Sequence, residues 1–571
     1  MYKFLTWNIF HSAFRYKKLT IIALMAGLLF GCEGQFGENK MSYQEAVNKL
    51  QAFKRKVNWN NDIISQVELI KAKESTLADT LPPIKKFPLV VDPKQKSNSV
   101  LVEIFVSSEK SGTGSDGWMN EVARDFNSAN IKLASGKLAK IQIRKIASGT
   151  GYQFISSKKY QPHAYSPSNH YWIHMAEAKG IKMTPILEKT VGNLAGLVMK
   201  QSTAKQLSSG GDVTIGQAVD AVVQGKVVAG YTNPYASSTG LNFLVSILAN
   251  FSQTPDDMLS PEVVSAFEGF QKHVPFVAMT TLQMRDSVIN DGSLDMFVME
   301  YQTYKNSDAL KSGYRFIPFG QPHNNPLYAV GSLSKQEQQV LDLFQGYLTD
   351  NKHQKKANKY GFNPSIKHSP LFDMPNGSVL VDAQRIWKEK KDIGRPIAAV
   401  FLADVSGSMM GARMQNLKTA LFDGSNFISP ENAIGLVTFS DVVKIKVPIK
   451  EYSSLHKSAF LTAVKGLNTN GGTAMYNGVV VALDMLIKEK ERNPNVRPVL
   501  LLLTDGATTN GLTYEEVEDV VSAINIPIYT IGFEADIQEL NRLSSLVESS
   551  STNAERDDIS YKIGSLLNTQ M

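Results

Sequence analysis

The stretch Ile397-Ala-Ala-Val-Phe-Leu-Ala-Asp404-Val-Ser-Gly-Ser-Met409 decides the fold of the C-terminal part of the chain. Its first seven residues are all apolar, a pattern typical of a parallel strand that is buried on both faces. We expect the strand to end at Asp404, and the loop that follows adds the hydroxyls of Ser406 and Ser408 at alternate positions. Because Gly407 permits a tight turn between them, these three side chains can converge on one hard cation.

Two further loops supply oxygen ligands for the same site. Apolar runs at 434–439, 499–503 and 528–531 predict more buried parallel strands, and ligands bind at the carboxyl ends of such strands. The segment Gly471-Gly-Thr473 adds a hydroxyl, and Leu503-Thr-Asp505-Gly adds a second carboxylate. Few anionic and several neutral oxygen ligands suit Mg²⁺ or Mn²⁺. No nucleophile, general base or histidine stands beside the motif, so we expect no enzymatic activity.

This combination of motifs resembles the metal-ion-dependent adhesion site of von Willebrand factor A-type domains. The resemblance rests on D-x-S-x-S, on a Thr after Gly-Gly and on T-D-G after an apolar strand, and it covers residues 396–571. It implies a Rossmann-like α/β domain with a central, mostly parallel sheet, and a protein partner that donates a carboxylate to the bound cation. The implied metal ligands, acting directly or through water, are Asp404, Ser406, Ser408, Thr473 and Asp505. The alternative is a cation that only holds the loops together, without a partner.

The region 100–375 alternates strands with helices, which favours an α/β domain. It resembles the two-lobed, type II fold of extracytoplasmic solute-binding proteins, on the basis of residues 102–108, 190–199 and 228–243. The resemblance implies a small solute held at strand-to-helix junctions by hydroxyls and backbone amides. The candidate ligand-binding residues are Ser107, Ser108, Ser148, Thr150, Ser238 and Thr239. Each of them could instead cap a helix N-terminus.

Two further patterns in the central region suggest other ligands. The segment Gly112-Thr-Gly-Ser-Asp-Gly117 fits the glycine pattern of a dinucleotide site, but the next strand ends without an acid for a ribose hydroxyl. His170 and His174 stand four apart on a predicted helix, with His163 upstream, and could form a metal-binding face. We expect these histidines to be solvated or hydrogen-bonded instead.

The N-terminus has the features of a bacterial lipoprotein signal peptide. Residues 1–18 carry Lys and Arg without an acid, and the apolar run 19–30 is shorter than a membrane span. The tail Leu29-Phe-Gly-Cys32 resembles a lipobox, of which Phe30 is an atypical member. We therefore expect lipidation of Cys32 and an anchored protein in the bacterial cell envelope, facing outside the cytoplasm from the plasma or the outer membrane. The alternative is an uncleaved signal anchor.

Length, spacing and charge complete the predicted organisation. A chain of 571 residues is too long for one hydrophobic core, and helical spacing at 41–56 and 62–73 predicts a small helical segment before a Pro- and Lys-rich linker. The net charge is +7, but the basic residues are scattered along the chain and form no concentrated block, so we expect no nucleic-acid binding. The predicted division is a signal peptide (1–31), a tether with helical segment and linker (32–99), a solute-binding-protein-like domain (100–375), a linker helix (376–395) and a von Willebrand factor A-type domain (396–571).

These features together predict a lipid-anchored extracytoplasmic binding protein that recruits a protein partner through a divalent cation. A second interpretation is a solute receptor of a transport system, with the C-terminal domain as its docking module. A third is a metal-dependent extracytoplasmic enzyme, which ranks last because the sequence offers no nucleophile with a base.

Overall fold

The computed structural model describes residues 41–571 except for short segments, which are 71–75, 94–97, 209–211, 275, 279–283, 285–293, 392–394, 507, 534, 536, 545–550 and 556–557. The predicted signal peptide and Cys32 lie outside the described residues. The described strands are β1 (Trp59–Asn61), β2 (Leu89–Val91), β3 (Ser99–Val106), β4 (Leu138–Lys145), β5 (Ala164–Ser166), β6 (Met183–Leu187), β7 (Asn193–Lys200), β8 (Ala229–Thr232), β9 (Phe276–Ala278), β10 (Met296–Glu300), β11 (Tyr314–His323), β12 (Leu327–Val330), β13 (Ile397–Asp404), β14 (Ala433–Phe439), β15 (Val443–Glu451), β16 (Arg497–Thr504), β17 (Ile528–Phe533) and β18 (Ser551–Ala554).

The described α-helices are α1 (Tyr43–Lys56), α2 (Ser108–Ser111), α3 (Trp118–Ser128), α4 (Ser148–Ser156), α5 (Tyr171–Ala178), α6 (Gln201–Leu207), α7 (Ile215–Val223), α8 (Ser238–Phe251), α9 (Pro261–Gln271), α10 (Tyr301–Lys305), α11 (Asp308–Gly313), α12 (Lys335–Thr349), α13 (Asn351–Lys359), α14 (Gly377–Lys390), α15 (Ala412–Gly424), α16 (Ser454–Lys465), α17 (Met475–Arg492), α18 (Tyr514–Ile524), α19 (Ile537–Ser544) and α20 (Ile559–Gln570). Within the described part of the chain, no helix combines the length and the apolar character needed to span a membrane.

Strand β13 lies in the middle of the C-terminal sheet, whose order is β1-β15-β14-β13-β16-β17-β18. Neighbouring strands pair in parallel, except β14 and β15, which are antiparallel. Every residue of β13 is buried, because α1, α17 and α18 cover one face of the sheet and α15, α16 and α20 cover the other. The expected mostly parallel, Rossmann-like sheet is therefore confirmed.

The segment before the central region completes this C-terminal sheet. Strand β1 pairs in parallel with β15 at the sheet edge, and α1 packs against α17 and α18. The ammonium of Lys54 on α1 forms an ion pair with Asp484 on α17, and both side chains are largely buried. The helix predicted over 62–73 is wrong for residues 62–70, which form no helix. Instead, the backbone amide of Asp62 donates to the carbonyl of Ile445, 3.0 Å away, and extends the edge pairing.

The central region folds around two separate sheets. The first has the order β2-β4-β3-β5-β12-β6 and the second the order β11-β7-β10-β8-β9. In the first sheet β3 pairs in parallel with β4 and β5, and in the second β8 pairs in parallel with β9 and β10. The predicted α/β fold class, with a two-lobed unit ahead of the C-terminal domain, is confirmed. Strand β2 lies within the predicted linker and pairs with β4.

The two lobes share one apolar core. Phe105 and Tyr152 come from the first lobe, Tyr231 and Phe243 from the second, and Trp387 from α14, yet all five lie in one buried cluster. The indole nitrogen of Trp387 also donates to the Tyr231 hydroxyl, 2.6 Å away. Helix α14, the predicted linker helix, is thus part of the packing that joins the lobes.

Candidate metal centre

Asp404 ends β13 with its carboxylate held by protein donors. One carboxylate oxygen accepts from the backbone amide of Ser406 at 2.8 Å, and the other accepts from the Thr504 hydroxyl at 2.6 Å. The residue is fully buried. Burial raises the pKa of Asp404, whereas the hydrogen bonds from Ser406 and Thr504 oppose that shift. The loop therefore fixes the orientation of a carboxylate that would be stabilised by a nearby cation.

The two serines link this carboxylate to the second one. The hydroxyls of Ser406 and Ser408 lie 3.0 Å apart, and the Ser408 hydroxyl donates to Oδ1 of Asp505 at 2.8 Å. Asp505 follows β16, which pairs in parallel with β13, so the two acids leave neighbouring strand ends. Four of the five predicted ligands thus form one connected set of oxygen atoms.

Thr473 reaches the same site on a third loop. The amide of Gly407 donates to the carbonyl of Gly471 at 2.9 Å, which brings the Thr473 loop against the serine loop. Thr473 donates its backbone amide to the Thr509 hydroxyl at 2.9 Å, and its carbonyl accepts from the Thr508 hydroxyl at 2.9 Å. These contacts fix the Thr473 backbone between the loops that follow β13 and β16.

Two residues outside the predicted motifs also shape the centre. Oδ1 of Asp441 accepts from the Gly472 amide at 3.0 Å and from the Asn510 side chain at 2.6 Å, which ties three loops together. A Cβ atom added at Gly471 would lie only 2.2 Å from Oδ2 of Asp441, and the φ of +71° at Gly471 also disfavours a side chain. Asp441 follows the predicted strand 434–439. Because ligands bind at the carboxyl ends of parallel strands, its position in the sequence could have indicated a role at this site.

The second such residue is Arg413, near the start of α15. Its guanidinium donates to Oδ2 of Asp505 at 2.8 Å and to the carbonyl of Ser408 at 3.1 Å. The Arg413 side chain is 38% exposed, whereas that of Asp505 is 1% exposed. No sequence motif signals this contact, because it depends on how α15 leaves the loop.

The donor set fits a hard divalent cation. Asp404 and Asp505 offer carboxylates, and Ser406, Ser408 and Thr473 offer neutral hydroxyls, which are the ligand types that Mg²⁺ and Mn²⁺ prefer. Across the described residues, no three His, Cys, Asp or Glu side chains lie together as a metal cluster. This centre has only two such residues and relies on hydroxyls for the rest.

The hydroxyls predicted to bind a solute mostly contact other protein groups. Ser107 accepts from the Lys110 ammonium at 2.7 Å, and Ser148 accepts from the Ser168 amide at 3.3 Å. Ser238 accepts from the Trp172 indole at 2.8 Å. The remaining contacts are Thr150 with the Tyr561 hydroxyl at 2.9 Å and Thr239 with Oε1 of Glu300 at 3.4 Å. Ser108 is partly exposed at the start of α2.

Of the six candidate positions, the capping alternative places only Ser107 at a helix N-cap. Ser237, rather than Ser238, accepts from the Gly240 amide and caps α8. Ser107 stands at the cap position of α2 without a capping hydrogen bond from its side chain. The hydroxyls at these junctions serve mainly to join neighbouring loops.

Buried polar groups link the two lobes. Glu300 at the end of β10 accepts from the Asn193 amide at 2.6 Å and lies 2.9 Å from Nδ1 of His323. Asn169 in the first lobe donates to the Ser238 carbonyl of the second at 3.3 Å. Nearby, burial and the charge of Glu300 raise the pKa of Glu109. These described polar groups at the strand ends therefore contact other protein groups.

The other sequence patterns form no shared site. His170 lies 3.0 Å from Glu188, and Nδ1 of His163 accepts from the Glu103 amide at 3.0 Å. His174 lies 3.8 Å from Glu177, so these three histidines have separate partners. In the glycine-rich segment, Asp116 accepts from the Gln302 side chain of the second lobe at 2.9 Å.

Curated relatives match about a quarter of the chain. Inter-alpha-trypsin inhibitor heavy chain H1 from Sus scrofa is 27% identical over 148 residues, and the Homo sapiens protein is 30% identical over 142 residues. Each alignment covers 24% of this chain and 16% of the relative, so the chain spans only a small part of these relatives.

Solved structures resemble each of the two regions separately. A von Willebrand factor type A structure from Catenulispora acidiphila aligns with 30% of this chain, and the alignment covers 42% of the Catenulispora chain. The sequence identity is 17% and the TM-score is 0.28. A periplasmic thiamin binding protein matches 53% of this chain and 99% of its own, with 10% identity and a TM-score of 0.38. The family model for the von Willebrand factor type A domain matches residues 399–564. These residues, which contain all five predicted metal ligands, form a von Willebrand factor type A domain.

Proposed function

We propose that this protein is a lipid-anchored extracytoplasmic binding protein whose C-terminal domain recruits a protein partner through a divalent cation. The observation that carries the proposal is the connected set of oxygen atoms from Asp404, Ser406, Ser408 and Asp505, with the Thr473 loop packed against it. These residues would hold Mg²⁺ or Mn²⁺, which would supply a Lewis-acidic position for a carboxylate of the partner.

The surroundings of the site favour recruitment over catalysis. Ser408 is exposed and Met410 beside it is 69% exposed, so a partner surface can reach the loop. Within the described residues around the five ligands, the titratable side chains in hydrogen-bonding contact are Arg413 and the two acids themselves. None of these groups is a histidine, and both carboxylates are assigned to the cation, so neither is left as a general base. We therefore infer a non-enzymatic role.

The proposed anchor would hold the metal-binding domain near the membrane. Lipidation of Cys32 is a prediction from the sequence, and α1 begins at Tyr43 and packs on the C-terminal domain. The intervening residues 33–42 could span at most about 35 Å when fully extended. The domain would therefore work close to the surface of the cell envelope, where a protein partner would have to present its carboxylate.

A test of the cation site compares the wild-type chain, without residues 1–31, with Asp404→Ala by titration calorimetry with Mg²⁺ and Mn²⁺. We expect the wild type to bind one of these cations and Asp404→Ala to lose binding, because the buried carboxylate is the central anionic ligand. Asp519→Ala, at an exposed position on α18, is the matched control and should bind as the wild type does. Equal binding by wild type and Asp404→Ala would refute the assignment of the site.

The partner is tested with the same variants immobilised and exposed to solubilised envelope proteins. A protein that is retained with Mg²⁺, released by chelation and absent from the Asp404→Ala column supports recruitment through the cation. Retention that is identical in all variants and unaffected by chelation would contradict it. If the cation binds but no protein is retained on any column, the cation only holds the loops together, and the recruitment proposal fails.

The solute-receptor interpretation ranks second. Five of its six candidate hydroxyls contact protein groups, which leaves little of the predicted ligand surface available. A solute that binds only the native state would raise the unfolding temperature of the full chain, and the rise would grow with the solute concentration. Such a shift, unchanged in Asp404→Ala, would favour the receptor interpretation.

A further inference from the structure

The metal centre contains a positive charge of its own. The guanidinium of Arg413 lies 2.8 Å from Oδ2 of Asp505, whose side chain is 1% exposed. A carboxylate buried to this degree needs a nearby positive charge or several donors, since an uncompensated buried charge is strongly destabilising. Oδ1 of the same carboxylate accepts from the Ser408 hydroxyl. Both oxygens of Asp505 therefore already have partners from the protein.

Arg413 also contacts the loop that carries the other ligands. Its Nη1 atom donates to the carbonyl of Ser408 at 3.1 Å as well as to Asp505. It is the second residue of α15, and that helix begins directly after the loop and packs against α20. The guanidinium thus bridges the serine loop after β13 and the loop after β16, which are the two loops that must hold a cation together.

Resting on the proposed cation site, we propose that Arg413 is an internal counter-ion that competes with the divalent cation for Asp505. Without a cation, the guanidinium neutralises Asp505 and keeps the loops together. When a cation binds, two positive charges share one carboxylate, and their repulsion lowers the affinity. With 38% of its side chain exposed, Arg413 has room to turn toward solvent and give up its contact. The site would consequently fill only at cation concentrations above those that its oxygen ligands alone would require.

A purely positioning role for Arg413 predicts the opposite result. If the guanidinium only orients Asp505 for the cation, then removing it would let the carboxylate move and the cation would bind more weakly. The sign of the change in affinity therefore separates the two roles.

The experiment measures Mg²⁺ and Mn²⁺ affinity by titration calorimetry on the full chain without residues 1–31, as wild type, Arg413→Gln and Arg413→Lys. Arg413→Gln removes the charge but keeps a hydrogen-bond donor, and we expect it to bind the cation about tenfold more tightly. Arg413→Lys keeps the charge and should stay near the wild-type affinity. Arg492→Gln removes an Arg from the far end of α17, where it pairs with Glu489, and controls for net charge.

A second measurement follows amide hydrogen exchange in residues 404–413. In the presence of a chelator, Arg413→Gln should exchange faster than the wild type, because Asp505 has lost its counter-ion. With saturating cation the two proteins should exchange equally, since the cation takes over that role. This readout also verifies that the variant is folded, because exchange elsewhere in the sheet should not change.

The outcomes are separable from those of the proposed function. Tighter binding by Arg413→Gln, with Arg413→Lys and Arg492→Gln near wild type, supports the counter-ion. Binding by Arg413→Gln when the wild type binds nothing also supports the counter-ion, as a complete block of the site, but it contradicts recruitment of a partner through the cation by the wild type. Equal or weaker binding by Arg413→Gln, when the wild type binds, overturns the inference and leaves the cation site intact. If neither protein binds a cation, both proposals fail.

Discussion

Two regions of this molecule lie at the carboxyl ends of parallel strands and carry serine and threonine hydroxyls, but they differ in what those hydroxyls meet. In the C-terminal domain, Ser406 and Ser408 stand between the carboxylates of Asp404 and Asp505, with Ser408 exposed. Between the lobes of the central region, Ser148 and Ser238 are buried and bind Ser168 and Trp172 of the same chain. The first region has two carboxylates and an exposed hydroxyl, that of Ser408, whereas the second uses its hydroxyls within the protein.

The difference shows which feature of a strand-end loop indicates a ligand. A single amide or indole donor from the protein can satisfy the hydrogen-bonding capacity of a neutral hydroxyl. A hydroxyl in such a loop is therefore weak evidence for a bound ligand. Two acids on neighbouring strands repel each other and need positive charge, which neutral donors do not supply. Asp404 and Asp505 form such a pair, whereas the predicted solute-binding positions contain only hydroxyls. The carboxylates, and not the serines, are the informative part of the motif.

The largest effect is expected from a substitution that forces apart the two lobes of the central region. A Cβ atom at Gly149 would lie 1.9 Å from the Tyr235 carbonyl oxygen and 2.7 Å from its carbon, both of which are backbone atoms that cannot easily move. Gly149→Ala should therefore lower the free energy of unfolding by about 3 kcal/mol. Urea unfolding followed by tryptophan fluorescence measures the change, since Trp172 and Trp387 lie in the core that the lobes share.

Gly269→Ala is the control for that substitution. Gly269 lies within α9 and has nothing within 4 Å of an added Cβ atom, so alanine there should be neutral or stabilise the protein by up to about 1 kcal/mol. If Gly149→Ala unfolds at the same urea concentration as Gly269→Ala, the lobes are apart in solution, and the contrast between the two regions disappears.

A smaller effect is expected from removing a hydrogen-bond acceptor that holds the loops of the candidate metal centre together. Asp441 holds the Gly472 amide and the Asn510 side chain beside the metal ligands. Asp441→Ala should weaken Mg²⁺ or Mn²⁺ binding by about tenfold, as observed for groups that orient metal ligands, while the protein stays folded. Calorimetry measures the affinity, with Asp519→Ala as the control. Unchanged affinity would mean that the loops hold their positions without this carboxylate.

The smallest effect concerns α1 and β1, the N-terminal segment that completes the C-terminal sheet. Burial opposes ionisation of Asp484, but hydrogen bonds from Lys54, Lys488 and Gln51 outweigh it and lower the pKa of Asp484. A carboxyl with a lowered folded pKa stabilises the fold above its unfolded pKa, near 3.9. That stabilisation is lost as the pH falls through the folded pKa. We therefore expect α1 to detach below about pH 4.

Amide hydrogen exchange of residues 43–56 measures this detachment. In the wild type, protection of α1 should persist at neutral pH and fall in acid. Asp484→Asn should exchange about fivefold faster already at pH 7, for a loss on the order of 1 kcal/mol, and should depend less on pH. Asp519→Asn is the control. A wild-type α1 that keeps full protection at pH 3 would show that apolar contacts alone hold the segment.

Much of the architecture follows from local patterns. The seven apolar residues before Asp404 predicted β13, which the structure extends from Ile397 to Asp404. The runs at 434–439, 499–503 and 528–531 likewise lie in β14, β16 and β17. Parallel strands buried on both faces require such continuous apolar runs, so their sequence signal is strong. In contrast, the helical spacing at 62–73 was misleading for residues 62–70: Asp62 continues the edge pairing to Ile445, and residues 63–70 form neither helix nor strand.

The amino-acid sequence alone was enough to predict the buried strands of the C-terminal domain and the oxygen-bearing side chains that follow them, because both depend on residues that are neighbours along the chain. Only the tertiary structure decided that α1 and β1 complete the same sheet, since Lys54 and Asp484 are 430 positions apart. The tertiary structure likewise placed Arg413 against Asp505 and closed the lobes over Ser148 and Ser238. These contacts join residues whose separate sequence contexts carry no sign of one another. Such contacts form only when folding brings these distant segments of the chain together.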